Sequence, residues 1–205
     1  PPATAMAPLL ESARMAPYLF LANIHPSLQL GVLDQAQPKF VGLDTMNLWI
    51  HTTPDLLKQV LARVDAVIIN DSEVRDLTGE LNLVRGARAV LAMGPRVVIV
   101  KKGEHGCALF CGDDICVLPA YPLDSVADPT GAGDSFAGGF MGCLARENIV
   151  ERRGSEFFTG LCRAAAYGTV TASFTCERFG PARLTEIGLS AIESRLQTLR
   201  NLVVF

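Results

Sequence analysis

The sequence has little charge. Only 19% of its residues are Asp, Glu, Lys or Arg, and the formal net charge is −3. It has no sustained Lys or Arg run, so a nucleic-acid partner held by phosphate neutralisation is not expected. It has no apolar run near the roughly 18 residues that a spanning helix needs, so no membrane partner is expected. Six cysteines sit at 107, 111, 116, 143, 162 and 176, and none forms C-x-x-C. That spacing argues against a zinc framework and reads as reduced thiols in a cytoplasmic protein. No basic stretch opens the chain, and Pro8, Glu11, Arg14 and Pro17 break its first apolar run, which argues against a signal peptide. An initiator Met is lacking too; the chain opens on Pro1-Pro2.

Apolar residues, by contrast, make up 49% of the 205. That is enough for one buried core and argues against disorder. They fall in short runs. Segments 18–24, 40–43, 66–69 and 97–100 read as buried strands, and 27–37, 53–64, 72–78 and 82–93 read as helices. Thr53 is an acceptable N-cap there and Pro54 an acceptable first-turn residue. The alternation predicts an α/β fold with a mostly parallel central sheet flanked by helices. Gly112-Asp113-Asp114 then separates two apolar runs and reads as a β-hairpin. Helices are expected over 132–146, 155–174 and 185–199. Residues 1–17 read as an irregular Ala/Pro-rich leader, and 18–205 as the folded domain.

The segment richest in chemistry is Asp128-Pro129-Thr130-Gly131-Ala132-Gly133-Asp134-Ser135-Phe136. Two glycines around a small Ala let several backbone N–H groups converge. Phe136, Ala137, Phe140, Met141 and Leu144 follow on one helical face, so the turn is expected to become a helix N-terminus. Unpaired N–H groups and the helix dipole there favour an anion such as phosphate. Asp134 stands in that first turn, where it can take a proton from a hydroxyl. An anion hole beside a carboxylate base suits phosphoryl transfer to an alcohol. A bare G-x-G-D would equally serve as a tight turn with a helix-start carboxylate.

The string VADPTGAGDSFAGGF resembles the carboxy-terminal motif of the ribokinase-like (PfkB) carbohydrate and nucleoside kinase family. Asn70-Asp71-Ser72-Glu73 resembles that family's N-x-x-E motif, and Lys101-Lys102-Gly103-Glu104-His105-Gly106 its K-x-G-x-x-G nucleotide loop. The tail from Ala172-Ser173-Phe174 to Gly180 resembles its closing helices. No Walker A lysine loop or protein-kinase motif set is present.

The resemblance implies a ribokinase-like fold and transfer of the γ-phosphoryl group of ATP to a hydroxyl of a sugar or nucleoside. Asp134 would be the base, and Gly131, Ala132 and Gly133 would supply the anion-hole amides. Gly103 and Gly106, with Lys101 or its neighbour Lys102, would serve the nucleotide, and Asn70 with Glu73 would position Mg²⁺ through water. Asp128 and Thr130 match positions that bind a monovalent cation such as K⁺ in some members. Asn47, after a strand end, is a candidate substrate contact. Arg163 aligns near the nucleobase, Trp49 and Gly138, Gly139 and Gly142 are read as packing residues, and His105 as a surface residue.

The family's amino-terminal strands and lid find no counterpart before Tyr18. Two expectations follow from that. The first is a catalytically incompetent nucleotide-binding fragment, as an alternative to an active kinase. The second is self-association, for example as a homodimer, through the open sheet edge.

Overall fold

The computed structural model describes residues 7–203. The chain forms two compact units. One holds the chain up to Val100 together with Phe110–Ile115, and the other holds Lys101–Leu109 and the chain from Cys116 onward. In chain order a short helix α1 (Glu11–Arg14) leads to β1 (Tyr18–Leu21), α2 (Pro26–Leu33), β2 (Phe40–Asp44), α3 (Asn47–Thr52), α4 (Pro54–Leu61), β3 (Ala66–Asn70), α5 (Asp71–Thr78), α6 (Leu83–Leu91) and β4 (Val97–Lys101), whose last residue belongs to the second unit. The hairpin strands β5 (Cys107–Cys111) and β6 (Asp114–Leu118) follow. The chain then forms α7 (Ala132–Arg146), α8 (Gly154–Thr175), α9 (Ala182–Glu186) and α10 (Leu189–Asn201).

The six strands form one mostly parallel sheet in the order β1-β2-β3-β4-β5-β6, flanked by helices. β1 and β2 run parallel with Tyr18 opposite Phe40, and β2 and β3 run parallel with Leu43 opposite Val67. Every residue of β2 is buried, as expected of an inner parallel strand covered on both faces. Phe40, Leu43, Leu57, Leu61, Ile68 and Ile99 form the core of the first unit, and Leu109, Phe140, Leu144 and Ile149 that of the second. α4 contributes Leu57, Val60 and Leu61 from one face, the stripe its sequence predicts.

Local chemistry sets the element ends. Pro26 occupies the first turn of α2, and the His25 ring accepts from the Ser27 N–H at 3.2 Å. α2 ends at Leu33, short of the expected Gln37. The Gln35 side chain turns back there, donating to the Gly31 carbonyl and accepting from the Leu9 N–H. The β5–β6 turn is Gly112-Asp113, with Gly112 at φ +58°.

α7 and α8 cross closely because two glycines face the crossing. A Cβ on Gly139 would stand 2.9 Å from Tyr167 O, and one on Gly168 2.7 Å from Phe136 O. Of the three glycines expected to pack α7, only Gly139 does so. The directions of Gly138 and Gly142 are open, with nothing within 4 Å.

Candidate active site

The Gly-rich turn folds as its composition requires. Gly131 sits at the N-cap of α7 at φ +80°, a left-handed conformation that side chains disfavour. The helix then starts at Ala132, which brings the amides of its first turn to one end. The Ala132 N–H donates to the Pro129 carbonyl at 3.1 Å, closing the turn. Asp134 is exposed in that first turn.

Beside this helix start, and wholly within the second unit, lies a cavity of about 710 Å³. That size suits a nucleotide-sized ligand. Lys101, Gly103, Gly106, Ala132 and Gly133 all line it. Lys101 ends β4, and its ammonium comes close to the start of α7. A Cβ on Gly133 would lie 3.0 Å from Lys101 Nζ. A cation and the positive end of a helix dipole therefore converge on one wall of the cavity.

Gly106 serves the backbone as well as the cavity. At φ +82° its missing Cβ would overlap the Leu118 carbonyl at 2.0 Å, so a side chain there would push the chain after β6 away. Gly131, Asp134, Asp128 and Thr130 do not line the cavity, although Pro129, Ala132 and Gly133 beside them do. Asp128 Oδ1 accepts from the Thr130 N–H at 2.9 Å, and Thr130's bonds hold the Asp128 carboxyl below its ordinary range.

The rest of the wall went unread in the sequence. Tyr121, Leu123 and Val126 come from the chain after β6, and Thr169, Ala172, Ser173 and Cys176 from the end of α8 and just beyond it. The last four recur at helical spacing on one face, a signal present in the sequence but indistinguishable there from core packing.

Arg195 of α10 braces this wall. It donates to Ser173 Oγ at 2.9 Å and to Glu177, and its guanidinium lies 4.8 Å from the Tyr121 ring and 3.4 Å from that of Phe174.

Arg163 departs from its expected place near a nucleobase. It does not line the cavity. It pairs with Glu147 at 2.8 Å and lies over the Tyr167 ring, because its face of α8 turns towards the end of α7.

The other candidates belong to the first unit. Asn47 is exposed at the start of α3, and Asn70 and Glu73 open α5. Asn70 Oδ1 accepts from the Glu73 N–H at 2.8 Å and from Ser72 Oγ at 2.7 Å, and Glu73 Oε2 accepts from the Asn70 N–H at 2.9 Å. This is a reciprocal capping box. Glu73 is only 6% exposed. Asn70 Oδ1 and Glu73 Oε2 are thus engaged in the cap. Among the described residues no group of three or more His, Cys, Asp or Glu could hold a metal. No helix among them is long and apolar enough to cross a membrane. Trp49 packs as expected, edge-on to His25 with centroids 5.1 Å apart, and donates to Asn23 Oδ1.

Comparison with known proteins follows the same lines. Residues 32–187 match the family described as pfkB family carbohydrate kinase. The chain belongs to that family. A pfkB relative, the cytidine kinase of Thermococcus kodakarensis, is 31% identical over 149 residues, covering 70% of this chain and 53% of that protein. The nucleoside kinase of Methanothermobacter thermautotrophicus is 34% identical over 140 residues, covering 66% and 43%. The chain thus spans about half the length of the curated relatives it matches. Among solved structures, the aminoimidazole riboside kinase of Salmonella enterica superposes with a TM-score of 0.72 at 20% identity, covering 89% of this chain and 63% of that one. The ribokinase of Arabidopsis thaliana gives 0.70 at 23% identity, covering 91% and 58%. The pfkB fold is thus shared with both.

Proposed function

We propose that this chain carries the nucleotide-binding and phosphoryl-transfer part of an ATP-dependent kinase whose acceptor is a hydroxyl of a sugar or nucleoside. One observation carries the reading: the Lys101 ammonium and the start of α7 converge on one wall of a nucleotide-sized cavity. Triphosphate is the ligand that rewards such a wall, and the apolar remainder (Leu123, Val126, Phe136, Ala172) suits a nucleobase.

In this reading the acceptor hydroxyl gives its proton to the Asp134 carboxylate as its oxygen attacks the γ-phosphorus. ADP leaves with the bridging oxygen. The Gly131–Gly133 segment and Lys101 face the charge on the transferring group, and Gly103 and Gly106 let the backbone approach the nucleotide. Magnesium would neutralise phosphate charge, and Asn70 with Glu73 would hold it through water. Asp128 and Thr130 are the proposed contacts of a monovalent cation, and Asn47 of the acceptor.

The relatives' names supply the acceptor panel: cytidine, fructose and inositol. Purified chain is tested for ADP release with each, beside Asp134→Asn. Turnover in the variant should fall by roughly 10²–10⁴-fold, the usual worth of a general base, with ATP affinity nearly kept. Unchanged turnover would remove Asp134 from the role of base. ATP binding without transfer to any acceptor would favour the nucleotide-binding fragment instead.

A further inference from the structure

The cysteines occupy different environments. Cys107 on β5 and Cys143 on α7 are buried, and desolvation pushes both thiols up to about 11. Desolvation also raises the thiols of Cys111 and Cys176. Cys116 on β6 moves the other way. It is half-buried, and a hydrogen bond with the thiol of Cys162 on α8 lowers it.

The placement of this pair follows from the helix and the hairpin. Cys162 and Thr169 are seven residues apart on α8, two turns, and so share a face. Thr169 Oγ1 meets Cys107 Sγ at 3.9 Å, which sets that face against β5. β6, which carries Cys116, is the sheet neighbour of β5. On β6, Ile115 and Val117 are exposed while Cys116 and Leu118 alternate inward. One face of α8 therefore presents Thr169 to the first hairpin strand and Cys162 to the second. Neither Cys116 nor Cys162 is in a disulfide, and both are partly open to solvent.

We propose that Cys116 and Cys162 form a thiol–disulfide modification site, which a small disulfide such as oxidised glutathione converts to a bond tying β6 to α8. The Cys116 thiolate attacks one sulfur of the reagent, and one glutathione thiolate leaves. Cys162 then gives its proton to solvent and attacks the Cys116 sulfur of the mixed disulfide, releasing the second glutathione. The protein loses two protons and two electrons, and the reagent is reduced to two thiols. Ala120 and Tyr121 follow β6 after Pro119, and Thr169, Ala172 and Ser173 lie on α8. The bond would thus tether two walls of the cavity.

The full chain is incubated with graded oxidised glutathione, its free thiols are titrated, and its peptides are mapped by mass. The expected result is loss of two of the six thiols, a mass lower by about 2 Da, and a reducible peptide pair joining 116 to 162. Cys162→Ser should stop with glutathione held on Cys116. The proposal is overturned if the unaltered chain keeps glutathione on Cys116, bridges a different pair, or retains all six thiols at oxidant levels that oxidise a model dithiol.

Discussion

Gly133→Ala separates the proposed anion seat from the fold that carries it. Gly133 lies in the first turn of α7, where Ala is the better helix former by about 0.5–1 kcal/mol. The new methyl would stand 3.0 Å from Lys101 Nζ, the far end of a flexible side chain that can move aside. The unliganded protein should therefore gain about 0.5 kcal/mol, a melting temperature higher by roughly 1–2 °C for a chain of this size. Binding should move the other way. The methyl narrows the phosphate approach and displaces the ammonium from the helix start. A charged hydrogen bond is worth about 1.5–3 kcal/mol, and losing the lower end of that range weakens ATP binding about tenfold. Isothermal titration and thermal melting on the same preparation give both numbers. A raised melting temperature with unchanged ATP affinity would refute the argument that phosphate sits against Gly133.

Two further predictions concern stability alone. Gly139→Ala would place a methyl 2.5 Å from Thr171 Oγ1 and 2.9 Å from Tyr167 O, so it should cost about 1–3 kcal/mol in denaturant unfolding. Burial alone would raise the Glu147 carboxyl, but hydrogen bonds from Arg163 and Arg146 outweigh it and hold the group below its ordinary 4.5. Its stabilising contribution is therefore present above that value and lost as pH falls through the lowered one. Glu147→Gln should flatten the acid limb of the stability–pH curve, and an unchanged limb would contradict that assignment.

How much of this could be read in advance varies by element. The α7 start was legible because Gly131-Ala132-Gly133 states a backbone requirement that no other residue type meets as well. β3 and β4 were legible because each is a short run of buried β-branched residues, Val67–Ile69 and Val97–Val100. α3 was not. Its six residues are too few to show a helical period, and Thr53-Pro54 had already been read as the opening of α4. In the structure the Thr53 hydroxyl donates to the Trp49 carbonyl and does not cap α4. The Asn70–Glu73 spacing was legible, but it is also the spacing of a capping box, and the structure makes the box. The α8 wall stayed hidden because a stripe of Thr, Ala, Ser and Cys looks the same whether it faces a cavity or a neighbouring helix. For Arg163, alignment with the family gave its helix but not the direction of its face, which the structure turns to Glu147 and Tyr167.

The central claim is that Lys101 and the α7 start hold nucleotide phosphate. Lys101→Met keeps the methylene stem and removes the charge. ATP and adenosine are titrated against both proteins, with circular dichroism as the check on folding. The account predicts that ATP binding weakens about 30-fold, equivalent to ~2 kcal/mol, while adenosine binding changes less than about twofold. Equal losses for the two ligands, or no loss for either, would contradict it.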